Sequence, residues 1–330
     1  MELRRDPITQ SWVIQQTTEV SWAKSGVCPL CPGNEFLCPP NLYVYPYGQP
    51  SWQVRVIPHR HPVYQIEGDP ARQAQGIYDK MRNLGAHEVV IEHPEHALRY
   101  ARLSDDHAAQ TLRAYIARIT DLKKDLRFRY VTLFRDVGKE AGQELEHPHS
   151  EITATPFIPR RVAYELRAAE RHYQTKERCL FCDIVRQELD QHERAVEWNE
   201  LFLAFCPFAS RVPYETWVMP IYHHCSFEED VTSPDKQVQL ARLLKSTLRR
   251  LSTVAKAYHL VLHTSPNTNA KPQRPGAWRT LAEDYHWHFE ILPIIPGKSR
   301  SYSFKEVYFN SLPPPEAAAK ELREAGIAET

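Results

Sequence analysis

His147-Pro148-His149-Ser150 and its later echo, His286-Trp287-His288, are the segments on which the reading of this chain turns. Each follows, at a similar remove, a pair of cysteines spaced by two residues. Cys28-Pro29-Leu30-Cys31 precedes the first and Cys179-Leu180-Phe181-Cys182 the second. Between pair and segment stands one more histidine behind a proline, in Pro94-Glu95-His96 and in Pro220-Ile221-Tyr222-His223. The same order at similar spacing marks an internal duplication. A thiolate pair can bite one metal ion and two imidazoles complete a tetrahedron. Two zinc sites are therefore predicted, Cys28/Cys31/His96/His147 and Cys179/Cys182/His223/His286, with His224 as the alternative to His223. Buried thiols or a redox pair are the rival readings of a single Cys-x-x-Cys; two copies with matched histidines favour metal. On a strand, side chains two apart share a face, so the first histidine of each pair can hold metal while the second faces a pocket.

Working outward, Ser104 with Asp105 and Asp106 predicts a helix start. Leu112, Tyr115, Ile119 and Leu122 follow at helical spacing. A strand is predicted over 128–134. In the second half, Ser233-Pro234 sets an N-cap with proline in the first helical position. Leu240, Leu244, Leu248 and Leu251 form one stripe, and a strand over 258–263 comes next. Each half thus reads as strands, one long helix, then strands, an α+β unit with an antiparallel sheet. The halves are taken as 1–165 and 166–330, joined by a charged helical stretch over 160–178. Residues 266–278 read as a loop, and Pro313-Pro314-Pro315 breaks the chain before a last helix over 316–324.

Composition narrows the function classes. Lys plus Arg equals Asp plus Glu, 41 each, so global charge makes no case for nucleic acid or an anionic membrane as partner. No apolar run approaches the roughly 20 residues that span a bilayer, and the N-terminus lacks the apolar core of a signal peptide. Seven cysteines, an odd number, argue against a disulfide framework. A cytoplasmic protein is expected.

Several segments resemble the galactose-1-phosphate uridylyltransferase family of the histidine-triad superfamily. They are Leu3 to Thr9 with Trp12-Val13-Ile14, Cys28 to Glu35, Val54-Arg55-Val56, His147 to Ser150, Arg178 to Asp183, Pro213 to Trp217 and His286 to His288. The second cysteine pair is similar to the ADP-glucose-phosphorylase-like branch. The resemblance implies two tandem histidine-triad repeats and a ping-pong reaction on a nucleotide sugar and a sugar phosphate. His149 would attack the α-phosphorus, a nucleotidyl-histidine would remain, and a second phosphate would take the nucleotide. Imidazole is a good neutral nucleophile near pH 7. His147, held by metal, would fix the strand that aims His149, with Pro148 stiffening the link. The resemblance also implies Glu151 beside the nucleophile, Arg55, Arg60, Asp136, Glu144 and His288 in the substrate shell, and a homodimer.

The chain departs from the family pattern at that shell. The family usually has Gln where Glu151 stands, Asn at Asp136, Ala-Ser at Gln143-Glu144, Asn at His59, and an Arg-x-x-Arg-Pro segment where this chain reads Gln16-Thr17-Thr18-Glu19-Val20. Donors and cations give way to acids. A carboxylate accepts hydrogen bonds and donates none, and two like charges ~4 Å apart repel by roughly 4 kcal/mol at an effective dielectric of ~20. Arg60, Arg135 and Lys139 are the cations that could compensate. Three readings stand: a nucleotidyltransferase with an altered substrate; a repurposed enzyme using His149 with Glu144 and Glu151 for acid–base or metal chemistry; and a non-catalytic zinc scaffold.

Overall fold

The computed structural model describes residues 1–15, 26–271, 277–296 and 313–325. The first repeat contains β1 (Glu2–Arg5), β2 (Trp12–Gln15), β3 (Tyr43–Tyr45), β4 (Val54–Pro58), β5 (Gln73–Gln75), β6 (Tyr78–Arg82) and β7 (Ala86–Ile91). Helix α1 (Asp105–Leu122), β8 (Tyr130–Val137) and β9 (His149–Thr155) complete it. Helices α2 (Arg160–Lys176) and α3 (Leu180–Gln191) lead into the second repeat. That repeat runs β10 (Ala195–Trp198), β11 (Phe202–Phe205), β12 (Thr216–Pro220), α4 (Phe227–Asp230), α5 (Pro234–Leu251), β13 (Ala257–His263), α6 (Leu281–Asp284) and β14 (His288–Ile294). Helix α7 (Pro315–Glu324) follows.

The helix starts form as their sequences dictate. The Ser104 hydroxyl accepts from the His107 N–H, and the Ser233 hydroxyl from the Lys236 N–H with Pro234 at the first turn. Leu112, Tyr115 and Ile119 of α1 and Leu240, Leu244 and Leu248 of α5 are buried. They pack on one sheet face with Leu133, Ile152, Leu262 and Phe289. Each such aliphatic side chain contributes about 1.5–3 kcal/mol when removed from water.

The repeats do not keep separate sheets. Their strands join in one ten-stranded antiparallel sheet of order β10-β11-β12-β14-β13-β8-β9-β7-β4-β3. Outward from the β13/β8 seam, the two arms carry the same strand roles in the same order, so the duplication becomes a pseudo-twofold. Pairing the two inner strands leaves neither repeat an exposed inner edge. At the seam Val261 lies opposite Phe134 and His259 opposite Asp136. Gly138 ends β8 with φ 89°, and a Cβ there would meet the Ala257 Cβ at 2.7 Å, so the close approach of the arms requires glycine. The buried Lys123 ammonium, just past α1, pairs with Glu228 of α4 and donates to the Ser265 carbonyl at 2.9 Å. A second sheet, β2-β1-β6-β5, lies apart, with Leu3, Met81 and Phe157 beneath it.

Strand β8 starts at Tyr130 and reaches Val137, later than the predicted 128–134; Phe128 is buried just ahead of it. Residues 16–20 lie outside the described residues, as do 272–276 of the predicted loop.

Candidate functional site

The two Cys/His groups assemble as the spacing requires. In each, the four donor atoms lie within 4.8 Å of one another: Cys28, Cys31, His96 and His147 in one, Cys179, Cys182, His223 and His286 in the other. Cys31 Sγ is 3.3 Å from His96 Nδ1 and 3.6 Å from His147 Nδ1. Cys182 Sγ is 3.3 Å from His223 Nδ1 and 3.7 Å from His286 Nδ1. His223 takes the ligand position; the His224 Nδ1 accepts instead from the Ser226 N–H at 3.2 Å. Backbone carbonyls orient three of the rings. His147 Nε2–H donates to His93 O at 2.7 Å, His223 to Ala282 O at 2.8 Å and His286 to Pro220 O at 2.9 Å. Each of these bonds leaves Nδ1 with a lone pair aimed at the thiols, the arrangement a metal-bound imidazole needs. Burial lowers the His147 pKa to about 4, which favours the neutral ring a metal takes.

Past His147 the chain leads to His149, whose side chain is part-buried at the start of β9. His149 Nδ1–H donates to the His147 carbonyl at 2.7 Å, so Nε2 keeps its lone pair and points away from the strand. On the opposite face a buried network holds the start of β9. The Ser150 hydroxyl donates to the Glu92 carboxylate, Tyr115 OH donates to it at 2.7 Å, and Arg135 pairs with it at 2.6 Å. Arg135 is thereby committed to Glu92 on the core side, away from the His149 Nε2 face.

Glu151 shares the His149 face. Its Oε1 stands 4.0 Å from His149 Nε2, and its Oε2 is 2.6 Å from His87 Nε2. His87 Nδ1 accepts from the Val63 N–H at 3.3 Å, and His59 Nδ1 from the His61 N–H at 3.1 Å. These backbone donors put the ring proton on Nε2, so His87 donates to Glu151. The two rings stack in parallel at 4.1 Å. Burial raises the Glu151 pKa, but the His87 hydrogen bond and the charges of His87, His149 and His59 together bring it below the usual value. One strand over, Asp136 Oδ1 accepts from His259 Nδ1 at 2.7 Å.

The second repeat carries the same device under cover. His288 Nδ1–H donates to the His286 carbonyl at 3.2 Å, again leaving Nε2 free. That nitrogen lies 3.9 Å from Glu290 Oε1 and 4.0 Å from Glu165 Oε2, and makes no hydrogen bond among the described residues. Trp217 stacks on the ring at 5.0 Å. His263 Nδ1–H donates to Glu165 at 3.0 Å. Arg161 reaches Glu165 at 2.9 Å and Glu290 at 3.1 Å, and Arg211 holds Glu290 and Glu215 at 2.6 Å each. Burial pulls the Glu290 pKa up, yet His263, Arg211, His288 and Arg161 outweigh it and lower it. At His288, in contrast, burial dominates and lowers the pKa to about 4.

The structure thus brings Glu151 and Asp136 to the His149 face and separates the other predicted shell residues. His288 sits three strands away in the covered cluster. Arg55 lies in the same cross-strand row as His149, through Ile91, but is buried over Trp52 at 5.0 Å. Arg60 and Glu144 are exposed in loops. Sequence reasoning missed His87, Glu92, Tyr115, His259, Glu165, His263 and Glu290. The Glu290 position had a signal, standing two residues after His288 as Glu151 does after His149. A cleft of about 1400 Å³ lies elsewhere, between α2 and the small sheet, with Arg5, Arg72, Lys80 and Arg160 on its walls.

Comparison with known proteins places this geometry. Residues 8–159 match the family described as galactose-1-phosphate uridyl transferase, N-terminal domain. The galactose-1-phosphate uridylyltransferase of Thermotoga maritima is 28% identical over 338 residues, covering 99% of each chain. A solved uridylyltransferase mutant superimposes with a TM-score of 0.78 at 30% identity, over 98% of this chain and 97% of that one. The ADP-glucose phosphorylase of Arabidopsis thaliana, solved with bound ADP-glucose, gives a TM-score of 0.78 at 26% identity over 98% of both. No helix among the described residues is long and apolar enough to cross a membrane.

Proposed function

Since the chain belongs to the galactose-1-phosphate uridylyltransferase family, and is a transferase of the nucleotidyltransferase type, we propose that it moves a nucleotidyl group through a covalent intermediate on His149, from a substrate altered relative to its relatives. The observation that carries this reading is the tautomer. The His147 carbonyl accepts from Nδ1–H, so the neutral form of the ring presents its Nε2 lone pair outward as the nucleophile. In the first step the Nε2 lone pair attacks the α-phosphorus of a nucleotide sugar. The phosphoanhydride bond breaks, its electron pair leaving on the sugar phosphate, and a P–N bond forms. In the second step an acceptor attacks that phosphorus and the P–N electrons return to Nε2. Glu151 and Asp136, on the same face, make the substrate side, and Arg55, Arg60 and Glu144 are carried to it by the family resemblance alone. His288, sealed in the second repeat, supports the fold.

We assign zinc to both Cys/His groups, because two thiolates and two oriented Nδ1 lone pairs match its donor preference. Bound there, it supplies anchorage, since four protein ligands leave no open position for a substrate. Cys28, Cys31, His96 and His147 would hold one ion, and Cys179, Cys182, His223 and His286 the other. We take 1–165 and 166–330 as the repeats, a homodimer as the working form, and the cytoplasm as the compartment. Light scattering tests the dimer.

The deciding experiment incubates the protein with α-labelled UDP-glucose, ADP-glucose and related nucleotides. Acid-labile label on His149 is expected from at least one. No label from any of them, with His149→Ala equally inert, sinks the transferase reading.

A further inference from the structure

We infer that the acceptor in the second step is an uncharged hydroxyl, with Glu151 as its general base, in place of a phosphate. This rests on the reading that His149 takes the nucleotidyl group.

Glu151 Oε1 stands 4.0 Å from His149 Nε2, so it borders the space that a phosphoryl group on that nitrogen occupies. It is held there as a carboxylate. Its other oxygen accepts from His87 Nε2–H at 2.6 Å, and the Val63 N–H on His87 Nδ1 fixes that proton on Nε2. A phosphate acceptor brings its own negative oxygen and needs no base; beside Glu151 it meets a like charge, and the hydrogen-bond partner of that carboxylate is an imidazole rather than a guanidinium or an ammonium. A hydroxyl has the opposite need. Its proton must leave as the O–P bond forms, and a carboxylate on the rim of the reacting phosphorus is a suitable receiver.

The step balances. The hydroxyl oxygen attacks phosphorus and its proton passes to Glu151 Oε1. The P–N bond breaks with its electron pair returning to His149 Nε2. The products are a nucleotidyl ester, or the free nucleotide when the hydroxyl is water, and a protonated Glu151 that gives its proton to solvent.

His59, His87 and Glu151 are also close enough to suggest a cation site, with ligand atoms within 4.8 Å. The tautomers oppose it. In both Cys/His groups backbone carbonyls accept from Nε2–H and free Nδ1 for a ligand bond. Here backbone N–H groups occupy Nδ1 of both rings, and Nε2 carries the proton. These rings are built to donate a hydrogen bond, not to chelate.

The test starts from labelled enzyme, made as above and freed of nucleotide, and divides it among buffer alone, glycerol as a neutral hydroxyl, and inorganic phosphate. The labelling step checks the transferase reading and the chase checks this one. Label is expected to leave to water or glycerol, with phosphate adding little. Glu151→Gln should slow the hydroxyl chase about 100-fold while speeding the phosphate chase. His87→Gln, which keeps a donor toward Glu151, should preserve the hydroxyl preference better than His87→Ala. A chase through phosphate that outruns water and glycerol in the wild type overturns the inference and leaves the covalent step standing. So does a Glu151→Gln enzyme with unchanged partition, or a metal equivalent lost on His87→Ala. Failure to label at all removes both.

Discussion

The two repeats place the same residues on the same sheet face, and only one of them leaves that face open. His149 with Glu151, and His288 with Glu290, each start a strand behind a histidine of a Cys/His group, and each ring donates its Nδ1–H to that histidine's carbonyl. In the first repeat the side chains of His149 and Glu151 are 10% and 23% exposed; in the second those of His288 and Glu290 are 0% and 2%. The cover over the second is α2, which lays Glu165 and Arg161 across it, with Phe181 of α3 and Trp217 closing the sides. His149, the proposed nucleophile, and His288 therefore differ by what lies above them, not by their own strand. The charges follow. Glu290 is matched by two guanidiniums and belongs to a packed ion cluster, whereas Glu151 has one imidazole partner and one oxygen facing the open side.

The comparison can be broken in four ways. The largest effect is expected at the metal groups, since a structural zinc site represents roughly 10 kcal/mol or more of binding free energy. Cys31→Ser and Cys182→Ser should each remove one metal equivalent by elemental analysis and lower the melting temperature. Only Cys31→Ser should also abolish labelling of His149. Equal loss of labelling in both would mean that the covered repeat shares the chemistry.

Next in size, His149→Ala should cut turnover at least about 1000-fold, roughly 4 kcal/mol of barrier, with little change in melting temperature. His288→Ala should do the reverse, since it empties a packed site yet leaves the nucleophile untouched. Steady-state rates and thermal melts on the two variants separate the roles.

Arg211→Met strips Glu290 and Glu215 of their shared guanidinium inside the protein. Breaking a buried pair from one side costs about 3 kcal/mol or more, which denaturant titration should show. Glu151→Gln, on the open face, should cost under about 1 kcal/mol in the same measurement.

The smallest effect concerns the seam. Burial raises the Glu228 pKa, but Lys123 and the local hydrogen bonds bring it below the usual glutamate value of 4.5. Its contribution to stability is present above that value and is lost as pH falls through the lower folded pKa. Glu228→Gln should therefore be less stable than wild type at neutral pH and show a flatter acid limb. Parallel acid limbs in the two melting-temperature profiles would argue against the pair.

Much of the fold was legible because its signals are local. The caps at Ser104 and Ser233 and the leucine stripe of α5 specify helices without reference to the rest of the chain. The two Cys/His groups were legible because their residues come in short repeated patterns whose chemistry admits few uses. The fusion of two sheets into one was not, since antiparallel pairing between β8 and β13 depends on which edges meet across more than a hundred residues. The site was half legible. His149 and Glu151 are two apart on one strand, so their shared face follows from strand periodicity. His87 comes from another strand and nothing in its own segment marks it, while His59, just past β4, was marked only as a departure from the family pattern. Arg135 looked like a phosphate-side cation, yet strand alternation turns it into the core, onto Glu92.

By itself the sequence determined the repeat, the helices and the two Cys/His groups, because caps, periodicity and residue spacing act over a few residues or recur as a pattern. Only the tertiary structure decided which His-x-His faces open space and which backbone group sets each ring's tautomer. It also decided that Glu151 answers to His87. Those choices depend on what a neighbouring strand or helix brings within hydrogen-bond reach, and that distance is set by packing rather than by position in the chain.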